Sequence, residues 1–577
     1  MSDVLVLAAV IIGLYYFIDF ARQGGAAFHA ETPISLSLMA LPKYSIYSLI
    51  RAAIAYLMSL GFTLVYGYFA AKSRSAERVM LPLLDIGQSI PVLGFMPGLV
   101  LGLIAIFPHS NFGMELACIL LIFTGQVWNM TFSFYASIKA VPTDLYEMGN
   151  VIGLSWVKKF IKIELPYSAI GLAWNSLMSM AGGWFFLTTC ESFNLGDRPF
   201  RLPGLGSYMA LAIEKNDTRA QIAAVVAMCL VILFADFVIW RPIIAWTRKF
   251  RLEDLQEEVA DIPFVTMLLR ESTLVPRALE FFRFFRRFFQ RPGRMRSIKP
   301  SPLVRAMNVK LPVSVGTGAR GRKRRRLQIK DVLPKLGTGA AIVIVFWGFT
   351  RLWELVRPLQ GHDWMLILRG TGYTLVRVVL ALVMASIWAV PFGIWVGRSP
   401  RLTRVFQPIV QLAASFPAPM LYPLVMGLFI RFGMGLPIGS TFLMLLGVQW
   451  YVLFNVLAGA ISISKELKDS MDLIQVGRSA LWKKLYLPSV FPALVTGWIT
   501  AAGGAWNASI VAEYVKYGNK TIVAPGLGSL ISEATAAGNY PLLGGCLMVM
   551  VATVVGINRT LWRRVQKFAE TRYRFER

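Results

Sequence analysis

The sequence predicts an all-α membrane protein that crosses the bilayer about twelve times, as two parallel repeats of six helices. The chain is 56% hydrophobic and 16% charged, whereas soluble domains are roughly 45–50% apolar and about 25% charged. Apolar stretches of about twenty residues, each long enough to cross a hydrocarbon layer of about 30 Å, recur along it. The second half also repeats residues of the first half in register.

Windows of about nineteen residues place six spans in each half. The first span lacks the basic leading residues and the cleavage site of a signal peptide, so we expect it to remain as a helix. The spans lie near residues 4–20, 46–70, 83–107, 113–134, 169–190 and 221–240, and near residues 339–353, 373–396, 412–430, 437–461, 493–511 and 542–560.

The net charge of +28 is carried by the segments between the apolar runs. Basic loops stay on the cytoplasmic side of a membrane. Lys72, Lys158, Arg398 and Lys483 mark one side, and alternate loops lack such an excess. The charge therefore predicts that both termini and the central linker are cytoplasmic, and we expect membrane lipid rather than nucleic acid as the partner of the basic segments.

The ionisable residues predict neither a metal site nor an enzyme. The four cysteines lie within or at the ends of apolar runs, and the three histidines lie far apart in loops. No spacing among them is typical of a metal site or a disulfide framework. No phosphate-binding G-x-x-x-x-G-K-[ST] motif occurs, so ATP hydrolysis would have to come from other subunits. We expect no cofactor on this chain itself.

An internal duplication organises the chain. PGLGS occurs at residues 203–207 and again at 525–529, and the same offset relates many other positions, with a slightly larger one further upstream. We call positions related in this way equivalent positions. They include Pro166 with Pro488, Trp184 with Trp506, Glu191 with Glu513, Arg51 with Arg377 and Pro91 with Pro417. Two copies in the same orientation are related by an axis along the membrane normal and enclose a central path.

The duplication predicts three segments. Residues 1–245 form the first repeat, residues 246–335 form a basic linker, and residues 336–577 form the second repeat.

A loop between the fourth and fifth spans, residues 147–166, reads EMGNVIGLSWVKKFIKIELP. It resembles the signature loop of permeases of binding-protein-dependent ABC importers, which runs E-A-A, three residues, G, nine residues, I-x-L-P. Glu147, Gly153 and Pro166 fall on this template, and Gly149 stands at the second alanine position. The resemblance implies that the loop docks on an ATP-binding subunit.

The corresponding loop of the second repeat, residues 469–488, departs from the template. Asp469 takes the glutamate position and Gln475 takes the glycine position, while Gly477 comes two residues late. Pro488 keeps the proline position. By the resemblance, this loop is a second and divergent docking site.

Further segments, such as TLVR at residues 374–377 and GRSPRL at residues 397–402, look like the nitrate, taurine, aliphatic-sulfonate and bicarbonate importers. The resemblance implies the type I ABC importer permease fold, with two permeases fused in one chain of a bacterial cytoplasmic membrane. It implies two ATP-binding subunits carrying ATP and Mg²⁺, and a periplasmic or surface solute-binding protein. The implied solute is a small oxyanion or organic anion.

Polar side chains within the apolar spans are candidates for the path, because such residues usually face a bundle interior or a cavity. They are Gln88, Ser89, Gln126, Asn129, Gln411, Gln449 and Asn455. An interhelical hydrogen bond is the competing interpretation for each of them.

Glu191 and Glu513 occur at equivalent positions, after the fifth span of each repeat. They could gate the path or meet a docked binding protein. The competing interpretation is an ion pair with Arg198, Arg201 or Lys516.

The alternative function is an ion-gradient-driven secondary transporter with six-plus-six helices. That class would not predict the signature loop or PGLGS, and it would need intramembrane ion ligands, for which Asp85 is the clear candidate. An exporter permease for lipid or peptide fits the loop poorly.

The linker holds EFFRFFRRFFQ at residues 280–290. At 100° per residue its six phenylalanines share one face and its arginines the other, the pattern of a helix lying on an anionic leaflet. RGRKRRR at residues 320–326 would add attraction to that surface. A disordered, solvated tether is the alternative.

We predict that the linker segment binds anionic liposomes through these phenylalanines. Replacing all six with serine should abolish binding of the isolated segment, because their apolar face supplies the burial in the leaflet. Replacing the basic residues of 320–326 with glutamine should weaken binding by about 1 kcal/mol per residue. Co-sedimentation measures both, and unchanged binding of the serine variant would rule out the interfacial helix.

Overall fold

The computed structural model describes residues 2–195, 198–250, 267, 347, 348, 350–518 and 520–573. The chain folds into two compact units. One comprises residues 1–10 and 264–350, and nearly all of its second part lies outside the described residues. The other comprises residues 11–263 and 351–577 and holds the described parts of both repeats. The linker helix near 280–290 lies outside the described residues, so it stays a prediction.

In its described residues the first repeat is mostly helical and has one antiparallel hairpin, β1 (Ser192–Leu195) with β2 (Arg198–Arg201). Its helices are α1 (Ser2–Gly25), α2 (Leu41–Lys72), α3 (Arg74–Ser89), α4 (Val92–Ile106), α5 (Phe112–Lys139), α6 (Thr143–Val151), α7 (Trp156–Lys159), α8 (Leu165–Cys190), α9 (Leu205–Glu214), α10 (Thr218–Ala235) and α11 (Arg241–Thr247).

The second repeat has the same order of elements from α2 onwards, with the hairpin β3 (Tyr514–Tyr517) and β4 (Lys520–Val523). Its helices are α12 (Gly361–Gly397), α13 (Pro400–Ser415), α14 (Tyr422–Arg431), α15 (Leu436–Ile461), α16 (Lys465–Leu473), α17 (Arg478–Leu481), α18 (Leu487–Ala512), α19 (Leu527–Ala536), α20 (Tyr540–Ile557) and α21 (Arg563–Tyr573). The described elements therefore confirm a predominantly α-helical duplication.

Seven described helices are long and apolar enough to cross a membrane, or up to nine if each bent helix pair counts as one span. The prediction of a polytopic membrane protein is confirmed. The predicted span near residues 339–353 lies largely outside the described residues, so the number twelve stays a prediction. α8 occupies the predicted fifth span, is rich in serine and glycine, and packs against α2 and α5.

Two predicted spans, residues 83–107 and 412–430, are not single helices. Each is a pair of helices bent by more than 40°, and the bend in the second repeat is 77°. Ile90 and Phe416, immediately before Pro91 and Pro417, have extended backbones. Proline lacks a backbone donor and disfavours helical geometry in the residue before it, so each chain turns at this point.

Side-chain caps set three helix starts from local sequence. Ser73 Oγ accepts from the Ala76 N–H at the start of α3, at 3.3 Å. Asp217 Oδ1 accepts from Ala220 N–H at the start of α10, and Asn539 Oδ1 accepts from Leu542 N–H at the start of α20, at 3.0 and 3.2 Å. Asp217 and Asn539 occupy equivalent positions, so the duplication preserved the cap while changing its charge.

Contacts between the repeats fix how the two halves face each other. Val92 N–H, at the start of α4, donates to Asn507 Oδ1 of α18 at 2.8 Å. Gln411 Nε2 of α13 donates to Asp236 Oδ1, just beyond α10, at 2.9 Å. Gly94 lies so close to Leu547 that a Cβ there would stand 2.1 Å from its Cδ2. These contacts hold α4 against α18 and α20, and α13 against the end of α10, around a space between the repeats.

Candidate functional site

A cavity of about 140 Å³ lies between the repeats, at mid-length of α8 and α18. Equivalent positions of the two repeats form its walls. The pairs are Gly125 with Gly447, Trp128 with Trp450, Gly182 with Gly504 and Phe185 with Asn507. We call this space the central cavity, and its position between the halves is where the duplication predicts a central path.

Uncharged side chains line the central cavity. Aromatic rings form much of the wall, and none of the described lining residues is an acid, a lysine, an arginine or a histidine. Gln88, Asn129 and Asn507 supply amides. The cavity can therefore offer neutral hydrogen-bond donors and acceptors beside apolar surface, without a fixed counter-ion.

The broken spans bring helix starts to the central cavity. Val92 is the first residue of α4 and Ala418 begins the short helical turn before α14, and both line the cavity. The start of a helix carries unsatisfied N–H groups and partial positive charge. The bend at Pro91 therefore places the start of α4 at the cavity, where Val92 N–H already donates to Asn507 Oδ1. The bend at Pro417 places only a four-residue helical turn there.

Sequence reasoning predicted part of this wall and missed part of it. Gln88 and Asn129 were predicted and line the central cavity, and the side chain of Ser89 lies outside what the structure describes. Trp128 and Trp450 were missed, although GQVW at residues 125–128 and GVQW at residues 447–450 stand at equivalent positions. Gly125 is required there, because a Cβ would stand 2.2 Å from the Phe186 ring.

Three other predicted path residues make hydrogen bonds within the protein. Gln126 is fully buried, with its amide against Ser59 Oγ and Met180 Sδ. Asn455 Nδ2 donates to its own helix at Tyr451 O, and Gln411 donates to Asp236 across the repeat interface. None of them, nor Gln449, is among the described residues that line the central cavity. Their transport role stays a prediction.

Glu191 belongs to a buried cluster at the end of the bundle that carries the hairpins, which we call the hairpin end. Its Oε1 accepts from Ser48 Oγ and Arg51 Nη1 at 2.6 and 2.8 Å, and its Oε2 accepts from Gly206 N–H at 2.7 Å. A Cβ at Gly204 would stand 2.3 Å from this carboxylate. The PGLGS turn therefore closes directly over Glu191, which is fully buried.

Glu513 makes the same cluster in the second repeat. Its Oε1 accepts from Thr374 Oγ1 and Arg377 Nη1 at 2.8 and 2.7 Å, and its Oε2 accepts from Gly528 N–H at 2.9 Å. Like Glu191, it is fully buried and does not line the central cavity. Each glutamate holds a PGLGS turn, and a role of either one in gating or docking stays a prediction.

The predicted ion pairs of these glutamates with Arg201 and Lys516 were wrong, and the Arg198 side chain lies outside what the structure describes. Arg51 and Arg377 are the partners, whereas Arg201 pairs with Glu31 and Glu214. Both partners come from a much earlier helix of the same repeat, whereas the expected partners were basic residues close to each glutamate in the sequence. Repetition of an arginine within an apolar span was the available signal, because a charge there requires a partner.

The two clusters differ by one carboxylate. Arg51 also makes two bonds to Glu115, from Nε at 2.6 Å and from Nη2 at 2.7 Å. In the second repeat Pro437 stands at the position equivalent to Glu115, and Arg377 Nε donates to its carbonyl oxygen at 3.3 Å. Arg377 consequently depends on one carboxylate, whereas Arg51 has two.

The signature loop of the first repeat lies at the opposite end of the bundle, the loop end. α6 ends at Val151, Gly153 turns the chain with φ +72°, and α7 follows. Gly149 is buried so closely against Ile163 that a Cβ would stand 2.9 Å from its Cδ1. Glu147 is exposed. Pro166 lies in the first turn of α8, where its missing donor costs nothing.

A lysine at the end of α2 anchors this loop. Lys72 Nζ lies 2.5 Å from Glu164 Oε1 and donates to Tyr146 Oη at 2.9 Å. Because Tyr146 belongs to α6 and Glu164 immediately precedes α8, one side chain joins the loop to two long helices. A force on the loop would be transmitted to α2 and α8 through these contacts.

The divergent loop keeps the turn without the glycine. Gln475 has φ +47°, a left-handed conformation that is unusual for a side-chain-bearing residue. Gly477 is exposed and has no such φ. Asp469 is exposed on α16, and Pro488 lies in the first turn of α18. The backbone geometry of the first loop is therefore retained at the position equivalent to Gly153.

The anchor of the second loop has different chemistry. Tyr486 stands at the position equivalent to Glu164, and Arg398 stands at the position equivalent to Lys72. Arg398 lies over the Tyr486 ring, 5.2 Å from its centroid. A cation–π contact thus replaces the ion pair of the first repeat.

Both loops expose apolar side chains at matching positions. Val151 is 88% exposed, and Leu473, at the equivalent position, is 85% exposed. The following residues, Ile152 and Ile474, are also largely exposed. The duplication therefore retained a pair of exposed apolar residues at the same point of each loop.

The fold and these sites define a membrane permease with two repeats around a central cavity and one signature loop per repeat. Residues 63–239 and 389–574 each match the family of inner membrane components of binding-protein-dependent transport systems. These matches cover more than half of the chain, so the protein belongs to this family. It is a transport component of an ABC system and not itself an enzyme. Membership of this family excludes the alternative function, an ion-gradient-driven secondary transporter.

Relatives in this family include permeases named for anions. The chain is 24% identical over 257 residues to the taurine transport system permease protein TauC of Escherichia coli (strain K12), covering 41% of this chain and 90% of TauC. It is 24% identical over 220 residues to the nitrate import permease protein NrtB of Leptolyngbya laminosa, covering 34% of this chain and 75% of NrtB. Over 146 residues it is 27% identical to the bicarbonate transport system permease protein CmpB of Synechococcus elongatus, covering 25% of this chain and 51% of CmpB.

We predict that Glu513→Gln destabilises the protein more than Glu191→Gln. The first change should cost about 3–5 kcal/mol, because it leaves Arg377 buried without a carboxylate. The second should cost less, because Glu115 still pairs with Arg51. Glu31→Gln, at a half-exposed surface pair, should cost under about 1 kcal/mol. Thermal unfolding in detergent measures the order, and equal losses for the two buried glutamates would contradict it.

We also predict that Gln475→Gly stabilises the second loop by about 1 kcal/mol, because glycine adopts a left-handed backbone without the steric cost of a side chain. Gly153→Gln should destabilise the first loop by a similar amount. Gly477→Ala is the matched control and should change little, since a Cβ there meets open space. Hydrogen exchange of the loop amides is the measurement. Faster exchange in Gln475→Gly would show that the left-handed backbone of Gln475 does not strain the second loop.

Proposed function

We propose that the chain is a two-repeat permease of an ATP-driven importer for a small anion, an oxyanion or an organic anion. The observation that carries this proposal is one central cavity walled by equivalent positions of both repeats. Two halves that share a path can expose it to either side of a membrane by rocking about their common axis. The family membership supplies the ATP-driven class.

The protein would lie in a bacterial cytoplasmic membrane with its loop end in the cytoplasm. Lys158, Lys159 and Lys162 lie on or beside the first loop, and Lys483 and Lys484 on the second. Such an excess of lysine favours the cytoplasmic side. Both termini and the basic linker would then be cytoplasmic, and the hairpin end would face outwards.

Two ATP-binding subunits would dock at the loop end, one on each signature loop. The exposed pairs Val151 with Ile152 and Leu473 with Ile474 support this arrangement, because each offers an apolar contact at the same point of its repeat. ATP and Mg²⁺ would be held by those subunits. The chain itself would bind no cofactor.

A solute-binding protein would deliver the solute at the hairpin end. From there the solute would enter the space between the repeats when the halves open outwards. Closure of the ATP-binding subunits would move the signature loops, and the contacts of Lys72 and Arg398 would carry that motion to the long helices.

The central cavity supports an anionic solute with an organic part. The start of α4 at Val92 favours negative charge, and amide side chains can donate hydrogen bonds to oxyanion groups. Aromatic rings beside them offer apolar contact. The names of the taurine, nitrate and bicarbonate relatives agree with a small anion.

Co-purification with the ATP-binding subunits, followed by uptake in proteoliposomes, tests this proposal. Val151→Ser with Ile152→Ser, or Leu473→Ser with Ile474→Ser, should weaken subunit binding at least about tenfold, because buried apolar area is lost. Val226→Ser with Leu230→Ser, an exposed apolar pair on α10, is the control and should bind normally. Uptake should require ATP and resist ionophores. Uptake that an ionophore abolishes, without a bound ATP-binding subunit, would refute the proposal.

A further inference from the structure

A second and larger cavity, of about 460 Å³, lies between the repeats at the hairpin end. We call it the outer chamber. Residues of both repeats form its walls, and it shares no lining residue with the central cavity. Met96, Thr189 and Met209 come from the first repeat, and Ser532 and Thr535 come from the second. Its volume falls in the range typical of small-molecule sites.

Lys516 is the one charged side chain among the described residues that line the outer chamber. It lies on β3, and no described acid comes within ion-pair distance of its Nζ. Ser192 and Thr521 also line the chamber, and their hydroxyls make no hydrogen bond to the described protein. The chamber therefore holds one cation together with hydroxyl donors that have free capacity.

The surroundings of Lys516 leave its charge available. Burial lowers the pKa of Lys516 from its usual range, while Glu214 favours the charged form and Arg201 opposes it. Glu214 is already paired with Arg201, which also contacts Glu31 at 3.0 Å. Its negative charge is thus largely offset within the first repeat. Lys516 is exposed on β3, so its ammonium can reach an anion in the chamber, and among the described residues it has no close carboxylate to compete with that anion.

We infer that the outer chamber is an anion-binding site, in which Lys516 supplies the charge and Ser192 and Thr521 can donate hydrogen bonds. The ligand class is a small molecule with a monovalent oxyanion group, such as a sulfonate or a carboxylate. The site is asymmetric, because the sequence has Asn194 at the equivalent position of the first repeat. This inference rests on the proposed function and assigns the first anion contact on the path to the second repeat.

The site lies before a neutral stretch of the path. An anion in the outer chamber would next meet the central cavity, whose described walls carry no charge. A single cation at the entrance raises the local concentration of anions. One lysine, rather than a cluster, also leaves the anion able to move on, as conduction through successive sites requires.

Thiol labelling of the full chain in lipid nanodiscs tests the inference. Ser532→Cys places a reactive thiol in the chamber wall, and Cys229→Ser removes the exposed native thiol. The probes are two methanethiosulfonates of similar size, the anionic 2-sulfonatoethyl and the cationic 2-trimethylammonioethyl reagents. The measured quantity is the ratio of their labelling rates, corrected for their rates with a free thiol in solution.

We expect the anionic reagent to be favoured by about fivefold or more, as one nearby charge of low screening would give. Lys516→Gln should remove this preference and Lys516→Arg should keep it. Lys520→Gln is the matched control, because Lys520 lies on the same hairpin but does not line the chamber. Excess ethanesulfonate should slow anionic labelling in the parent protein and not in Lys516→Gln.

A preference that survives Lys516→Gln, or that falls equally in Lys520→Gln, would overturn the inference. Uptake driven by ATP separates this result from the proposed function. If Lys516→Gln loses the labelling preference but takes up anion with unchanged KM, the chamber is not on the path, although the permease function stands. If the parent protein takes up no anion with ATP, the proposed function fails, whatever the labelling shows.

Discussion

A buried ion pair at the hairpin end of each repeat holds the rest of that repeat in place. Glu191 with Arg51, and Glu513 with Arg377, join the end of a long helix to the middle of another. Burying two charges costs several kcal/mol per ion unless every polar atom finds a partner. Here hydroxyls, PGLGS backbone N–H groups and proline carbonyls supply those partners. The helices that wall the central cavity are therefore fixed at one end by a buried, hydrogen-bonded cluster and can transmit movement from the other.

Duplication preserved the backbone and let the side chains diverge. The turn of the signature loop is the same with Gly153 and with Gln475, although only glycine adopts that conformation freely. An ion pair anchors one loop and a cation–π contact anchors the other. Close packing between helices restrains the backbone strongly. At the loop end, by contrast, an ion pair can be replaced by a cation–π contact without a change of backbone. In a fused chain the two halves need not be identical, as they would be in a homodimer. One repeat can therefore carry Lys516 and the other Glu115.

The path itself is defined by geometry rather than by charge. Proline bends turn two spans towards the axis, and the helix starts that they create face an uncharged cavity. Such partial charges attract an anion without the strong binding that a buried counter-ion would give. Close helix contacts at positions such as Gly125 bring the aromatic rings into the wall. The described walls of the central cavity are therefore neutral, and Lys516 is the charge that we infer at its entrance.

The sequence by itself determined the membrane class, the duplication and the signature loops, because hydropathy, repetition and a spaced motif are local or periodic signals. It also indicated Gln88 and Asn129, which line the central cavity. Only the tertiary structure decided that Gln126 and Gln411 bond within the protein, and that Glu191 pairs with Arg51. These outcomes depend on which helix faces which, and residues far apart in the chain come together only when the helices pack. The bends at Pro91 and Pro417 were likewise hidden, since apolar composition is the same in a straight span and in a broken one.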